Sequence, residues 1–323
     1  MFKKLLVPLD GSPLAERALR LALSLARQPG VEVLLLRVAY AEAFIIPEVG
    51  VPGARGLAWP GQALAHAARE ARDYLTGLQM AYAAPERLIW SKVITDETQS
   101  PDIAAHIIQT ARDDHSELIV ISSHGRSGIQ RWMYGSVAER VLSAAPCPVL
   151  ALRSAAMPRR VLIPLDRSPL SEQALQPGLD VAHSLGCDVT LLHVIGQTAP
   201  SGVLPSHPLY HFYARQVRAD ILDKPGQPME PKQRLLDQLH DEAAAYLQQL
   251  ALQQRYVGLT VHTAIEVGPP AETILEYADT HDIDLIAMAT HGYTGLRRWV
   301  YGSVTNKVMR QGKHSMLIIR PPV

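Results

Sequence analysis

The sequence predicts an α/β protein built from two tandem doubly wound domains, each a five-stranded parallel sheet with helices on both faces. Three observations carry this. The chain is duplicated: Pro8, Leu9, Asp10, Ser12 and Pro13 return 156 residues later as Pro164, Leu165, Asp166, Ser168 and Pro169. Leu36-Arg37-Val38 returns as Leu192-His193-Val194, Tyr74-Leu75 as Tyr246-Leu247, and the stretch Ser123 to Val137 as Thr290 to Val304. Secondly, the apolar runs are short and near-continuous, the mark of strands covered on both faces. Thirdly, each run is followed by a segment of helical periodicity, and right-handed crossovers then lay helices over a parallel sheet. The copies span 1–153 and 159–323, joined by the small-residue stretch Ser154 to Pro158, with an insert at about 200–231 in the second. Each is large enough to bury its own core.

In order along the first copy, Lys4 to Leu9 is a buried strand, after which Ser12 caps a helix with Pro13 at its first position. Leu14, Ala18, Leu21, Ala22 and Leu25 form the apolar face of that helix. Val31 to Val38 is the second strand, Arg69 to Leu78 a helix, and Leu88 to Ile94 the third strand. Ile103 to Arg112 is helical, Leu118 to Ile121 is the fourth strand, Ser136 to Ala144 a helix, and Pro148 to Leu152 the fifth strand. The second copy follows the same plan, except that Pro177-Gly178 stands where the first has Leu21-Ala22, so that helix is expected to kink or end early. Such Rossmann-like sheets bind ligands at the carboxyl ends of strands, where strand order reverses. Asp10, Val38 and the Ser122 to Gly125 turn each follow a strand end, as do Asp166, Val194 and the Ala289 to Gly292 turn.

Basic and acidic residues balance at 31 each over the chain, which disfavours a nucleic-acid partner. The N-terminal apolar run is too short for a signal peptide or a membrane span, so a cytoplasmic protein without a membrane partner is expected. Cys147 and Cys187 lie in different copies and apolar surroundings, as reduced buried thiols do. No metal site is expected.

The glycine-rich loop carries the strongest chemical signal. Gly125 and Gly128 can turn their backbone N–H groups toward an anion, and Gly135-Ser136 opens a helix whose free N–H groups and dipole favour phosphate; Gly292, Gly295, Gly302 and Ser303 repeat the set. The competing structural reading is an ordinary turn with Ser136 as N-cap and Glu139 completing a capping box. Neither the P-loop nor the dinucleotide glycine fingerprint is present. Arg126 and Arg131, with Arg297 and Arg298 in the second copy, offer charge near the loops. Asp10 and Asp166 can accept hydrogen bonds from a ribose hydroxyl or an adenine amine, or assist a phosphate-bound metal, the competing reading being a turn aspartate; Val38 and Val194 read by type as core residues, and any adenine contact would use their backbone and one apolar face. His124 and His291 lack triad partners and read as structural or phosphate-orienting, not catalytic. His207 and His211 have helical metal-ligand spacing, but Pro205 and Pro208 argue against a helix there. The insert, with Tyr210, Phe212 and Tyr213, is a surface loop or a lid.

At these residues the chain resembles the universal stress protein family in a tandem form. The ATP-binding members carry Gly-x₂-Gly-x₉-Gly-Ser/Thr after the fourth strand; here Ser122 and Ala289 replace the first glycine. The resemblance implies a nucleotide set of Pro8, Asp10, Val38, Ser122, His124, Gly125, Arg126, Gly128, Gly135, Ser136 and Val137. In the second copy the set is Pro164, Asp166, Val194, Ala289, His291, Gly292, Gly295, Gly302, Ser303 and Val304. It further implies ATP, with Mg²⁺ as an allowed companion, pairing through the fifth strands Pro148 to Leu152 and Met316 to Ile319, and a homodimer. The family's glycine-x-proline before the third crossover helix is present as Gly268-Pro269-Pro270 but replaced by Asp96 to Asp102 in the first copy, so unequal sites are expected. Regulatory ATP binding in a stress response leads; slow ATP hydrolysis and a nucleotide-free interaction scaffold stay open.

Overall fold

The computed structural model describes residues 1–41, 45–47, 55–57, 60–85, 87–98, 100–123, 134–154, 156–196, 230–254, 256–290 and 302–320. The chain divides into two compact units, Met1–Ala155 and Ala156–Val323.

The first unit contains β1 (Lys4–Pro8), α1 (Pro13–Leu25), β2 (Glu32–Tyr40), β3 (Ile45–Pro47), β4 (Arg55–Leu57), α2 (Pro60–Tyr82) and β5 (Leu88–Asp96). It continues with α3 (Ile103–Asp113), β6 (Leu118–Ser122), α4 (Ser136–Ala144) and β7 (Val149–Leu152). Strand order is β7-β6-β1-β2-β5, with every neighbouring pair parallel. The second unit contains β8 (Arg160–Pro164), α5 (Pro169–Glu172), α6 (Leu175–Leu185), β9 (Asp188–Ile195), α7 (Glu230–Gln253), β10 (Val261–Val267), α8 (Pro270–Thr280), β11 (Leu285–Ala289), α9 (Ser303–Gln311) and β12 (Ser315–Ile319). Its order, β12-β11-β8-β9-β10, is the same topology, again all parallel. The doubly wound α/β fold expected from the apolar runs is therefore present twice. The short antiparallel ribbon of β3 and β4 was not legible, being three residues per strand.

Central strands are buried on both faces: Leu5, Leu6 and Val7 of β1 and Val161, Leu162 and Ile163 of β8 are all essentially inaccessible. Fully burying one such side chain stabilises the fold by about 1.5–3 kcal/mol, so these triplets anchor each unit. Ser12 caps α1 as anticipated, its Oγ accepting the Ala15 N–H at 3.1 Å, with Pro13 opening the helix.

The matching segment of the second unit breaks into α5 and α6, and the break lies four residues before Pro177, not at it. Pro177 lacks the N–H that would bond the carbonyl of Gln173, and its ring would strike that carbonyl; the ladder therefore fails at Gln173-Ala174, and Pro177 sits harmlessly in the first turn of α6. Gly178 then lets α6 press onto the sheet, since a Cβ there would lie 2.7 Å from Ile163 Cδ1. Cys147 and Cys187 are free, buried thiols, each pushed up to about 12 by burial.

Candidate functional site

The register of the strands decides what meets at their carboxyl ends. Pro8 pairs with Leu36, and Leu6 with Ile119. Carried on along the strands, that register sets Asp10 abreast of Val38 and Leu9 abreast of Ser122. The second unit repeats it: Pro164 pairs with Leu192 and Leu162 with Ile286, which sets Asp166 abreast of Val194 and Leu165 abreast of Ala289. β1 and β8 stand where strand order reverses, the position at which open α/β sheets form a crevice.

Each aspartate closes a tight turn. Asp10 Oδ1 accepts the Ser12 N–H at 2.9 Å, and Gly11 between them is left-handed, φ +81°. Asp166 Oδ1 accepts the Ser168 N–H at 3.0 Å and also the Ser168 hydroxyl, and the intervening residue, Arg167, is left-handed at φ +65°. Burial pushes the Asp166 carboxyl up, but the hydrogen bonds from Ser168 and Ser171 outweigh it, and the net direction is down. His193 itself is held below the usual imidazole range by burial, so its neutral ring donates Nδ1–H to the Leu165 carbonyl at 2.8 Å.

At the helices after the glycine loops, the capping-box alternative is not what forms. Gly135 and Gly302 are the N-caps, and Ser136 and Ser303 are the first helical residues. Glycine offers no side chain to the first-turn N–H groups, whereas Ser12 and Ser168 do cap α1 and α5. Ser136 and Ser303 are exposed, with Val137 and Val304 half-buried beside them, the same pattern in both units. Gly135 N–H binds the Ser123 carbonyl at 2.7 Å, holding the start of α4 to the end of β6; in the second unit the Thr305 hydroxyl, bound to the Ala289 carbonyl at 3.1 Å, holds α9 to β11.

Val38 and Val194 are half-buried, not core, although the residue after each, Ala39 and Ile195, is buried. That corrects the reading by residue type and leaves an apolar face available at each crevice. Pro8 is half-buried and Pro164 buried, each ending its strand; Ser122 is buried and Ala289 half-buried. His124, Gly125, Arg126, Gly128, His291, Gly292 and Gly295 lie outside the described residues, as do Arg131, Arg297, Arg298, His207, His211 and the aromatics of the insert. A Cβ at Gly268 would press on the Thr273 hydroxyl, so glycine lets that side chain sit close to the chain before α8.

One cluster escaped the sequence reading. Tyr74 on α2 donates its hydroxyl to Glu16 at 3.1 Å and lies under the Arg37 guanidinium, 4.8 Å from ring centroid to Cζ. Tyr246 on α7 donates to Glu172 at 2.9 Å and lies under the Arg167 guanidinium at 5.9 Å. Burial first, then the paired glutamate, pushes both phenols up. The repeated Tyr-Leu pairs were visible signals; the arginines were not, because they come from different backbone positions.

Together the fold and its strand-end turns define a class: a duplicated doubly wound α/β protein with an aspartate turn and a glycine-capped helix at each reversal point. The comparisons narrow it, since the universal stress protein family matches residues 1–153 and again residues 157–320; the chain belongs to that family. A universal stress protein of Methanocaldococcus jannaschii is 29% identical over 165 residues, 51% of this chain and 83% of that protein. YxiE of Bacillus subtilis is 31% identical over 156 residues, 47% of this chain and 100% of its own length. Among solved structures, a universal stress protein from Archaeoglobus fulgidus aligns with TM-score 0.60 at 17% identity, covering 99% of both chains, which supports the tandem fold.

Proposed function

We propose that this tandem universal stress protein binds adenine nucleotide at both reversal points, with ATP as the ligand, Mg²⁺ as its allowed companion, and nucleotide occupancy as a regulatory signal in a stress response. The observation that carries the reading is the paired arrangement. In both units an aspartate turn stands abreast of a half-buried valine, and the helix entered from the glycine loop has a glycine N-cap whose own residue offers no side-chain acceptor to the first-turn N–H groups. Asp10 and Asp166 would hold ribose hydroxyls, Val38 and Val194 the base, and Gly135-Ser136-Val137 and Gly302-Ser303-Val304 the phosphates. Ligand at a hundredfold excess over its Kd would stabilise the fold by about 2.7 kcal/mol, enough to couple nucleotide level to conformation.

Mass spectrometry of denatured purified protein, followed by a thermal shift with ATP on nucleotide-free protein, tests this. Co-purified adenylate or a rise in Tm supports it; neither would leave the protein as a nucleotide-free scaffold. The same reading takes the protein as a cytoplasmic homodimer, which light scattering and cell fractionation check.

A further inference from the structure

The two units solve one packing problem with different arginines, and the solutions differ in what they leave available. In the second unit the Arg167 guanidinium rests over Tyr246 and is neutralised by Glu242, 3.2 Å away. The residue at the strand position, His193, is neutral and spends its Nδ1–H on the Leu165 carbonyl. In the first unit the guanidinium comes from β2. Arg37 lies between the ring of Tyr74 and the backbone of Gly11, where an added Cβ would sit 3.2 Å from one of its terminal nitrogens. Among the described residues it enters no hydrogen bond and no ion pair. Five N–H donors are therefore held in place at half-burial, directly beside the turn of Asp10, with no acceptor spent on them. The stack on Tyr74 restricts the guanidinium and so reduces the freedom that binding would cost it. Among the described residues Asp10 has the single Ser12 N–H as partner, where Asp166 is also occupied by the Ser168 hydroxyl.

We propose that Arg37 is a ligand-binding residue of the first site, recognising a phosphate ester of the bound adenosine, and that the second site has no counterpart. The inference rests on the nucleotide reading above. Its chemistry is guanidinium to phosphate, a geometry that two N–H groups match at once. The phosphate is at the 5′ or the 3′ position of the ribose, and the experiment separates the two.

Calorimetric titration of the full chain with adenosine, adenosine 5′-monophosphate and adenosine 3′-monophosphate tests it. Arg37→Gln should weaken one of the two monophosphates at one site by about tenfold or more, the scale of a lost charge-assisted pair, while adenosine changes less than about twofold. The responding monophosphate identifies the position. Arg37→Lys should recover part of the loss, and Arg167→Gln should leave all three ligands within about threefold, since Glu242 already holds that charge. Equal weakening of adenosine and both monophosphates by Arg37→Gln would show that Arg37 only supports Tyr74, and overturn the proposal. So would equal losses from Arg37→Gln and Arg167→Gln. Wild-type protein that binds none of the three would sink the nucleotide reading itself; binding that ignores Arg37 would sink only this inference.

Discussion

The two units share a topology and a register, yet at the aspartate turn they reach the same geometry from different residues. A left-handed residue follows each aspartate, and a guanidinium covers a half-buried tyrosine that is bound to a glutamate. The first unit uses Gly11 for the backbone and Arg37 for the charge; the second puts both demands on Arg167, accepting an uncommon conformation for a bulky side chain. The pattern recurs where the third crossover helix meets the helix after the glycine loop: Arg140 pairs with Asp102 at 2.6 Å in one unit and Lys307 with Glu272 in the other. In that pair the base keeps its aligned place, Arg140 matching Lys307, and the acid moves from Asp102 to Glu272, so the contact outlasts the position of one partner.

The largest effects should fall on what the units share. Leu6 and Leu162 occupy equivalent central-strand positions and are wholly buried. Leu6→Ala and Leu162→Ala should each cost about 2–5 kcal/mol, because the packed strands on either side cannot collapse into the space. Calorimetric or denaturant unfolding of both variants checks this. Comparable losses would confirm equal cores; a loss under about 1 kcal/mol in one variant would break the equivalence.

The next effect separates the units. Gly11→Ala places a Cβ both in a left-handed conformation and 3.2 Å from Arg37, and should cost about 1–2 kcal/mol from the backbone alone. Arg167→Gly relieves that same conformation but gives up the Glu242 pair and the stack on Tyr246, so its net effect should stay within about 1 kcal/mol. Melting temperatures of the two variants, measured side by side, decide it; equal destabilisation would mean that the two turns are not alternative solutions.

Smaller still is the contrast at the caps. Ser12→Ala should cost about 1 kcal/mol, the usual value of an N-cap. Ser168→Ala removes the cap on α5 and also the hydroxyl bond to Asp166, so it should cost somewhat more. It should also let the Asp166 carboxyl titrate closer to its ordinary range, since that bond helps hold it down. NMR titration of the carboxyl in the variant checks the second half, and an unmoved titration would contradict it.

The duplicated apolar runs made the sheet, its strand order class and the positions of Asp10 and Asp166 legible, because burial on both faces leaves a strong compositional trace. Local chemistry was less so. Ser136 looked like an N-cap because serine is common there, but Gly135 takes that place, so Ser136 becomes the first helical residue. The break near Pro177 was anticipated, and its place a turn earlier follows because proline acts on the carbonyl four residues behind it. Val38 and Val194 were read as core by residue type, which does not say how much of a given side chain along a strand its neighbours cover. Arg37 and Arg167 were invisible to alignment of the copies because contact was kept while position was exchanged.

The last contrast is silent near neutrality and emerges only in acid. Asp96 ends β5 in the first unit, and the strand alignment puts Gly268 at the matching place in the second. Asp96 Oδ1 accepts the Thr98 hydroxyl at 2.6 Å and the Thr98 N–H at 2.9 Å, while Oδ2 meets His106 Nε2 at 2.7 Å. The Thr98 hydroxyl, then His106, hold the carboxyl at about 2, below its ordinary value of 3.8, against a smaller opposing push from burial. The unfolded chain therefore takes up this proton before the folded one does, and stability must rise with pH through that interval. The contribution is complete above the ordinary value of 3.8 and drains away as pH falls toward about 2. Circular dichroism melts across that interval should show a steep loss in wild type and a shallower one in Asp96→Asn. The slope, not the level, is the test, because the variant also loses hydrogen bonds at every pH. Thr98→Val should flatten the slope more than His106→Gln does, and the reverse order would show that the imidazole, not the hydroxyl, is what holds this carboxylate ionised.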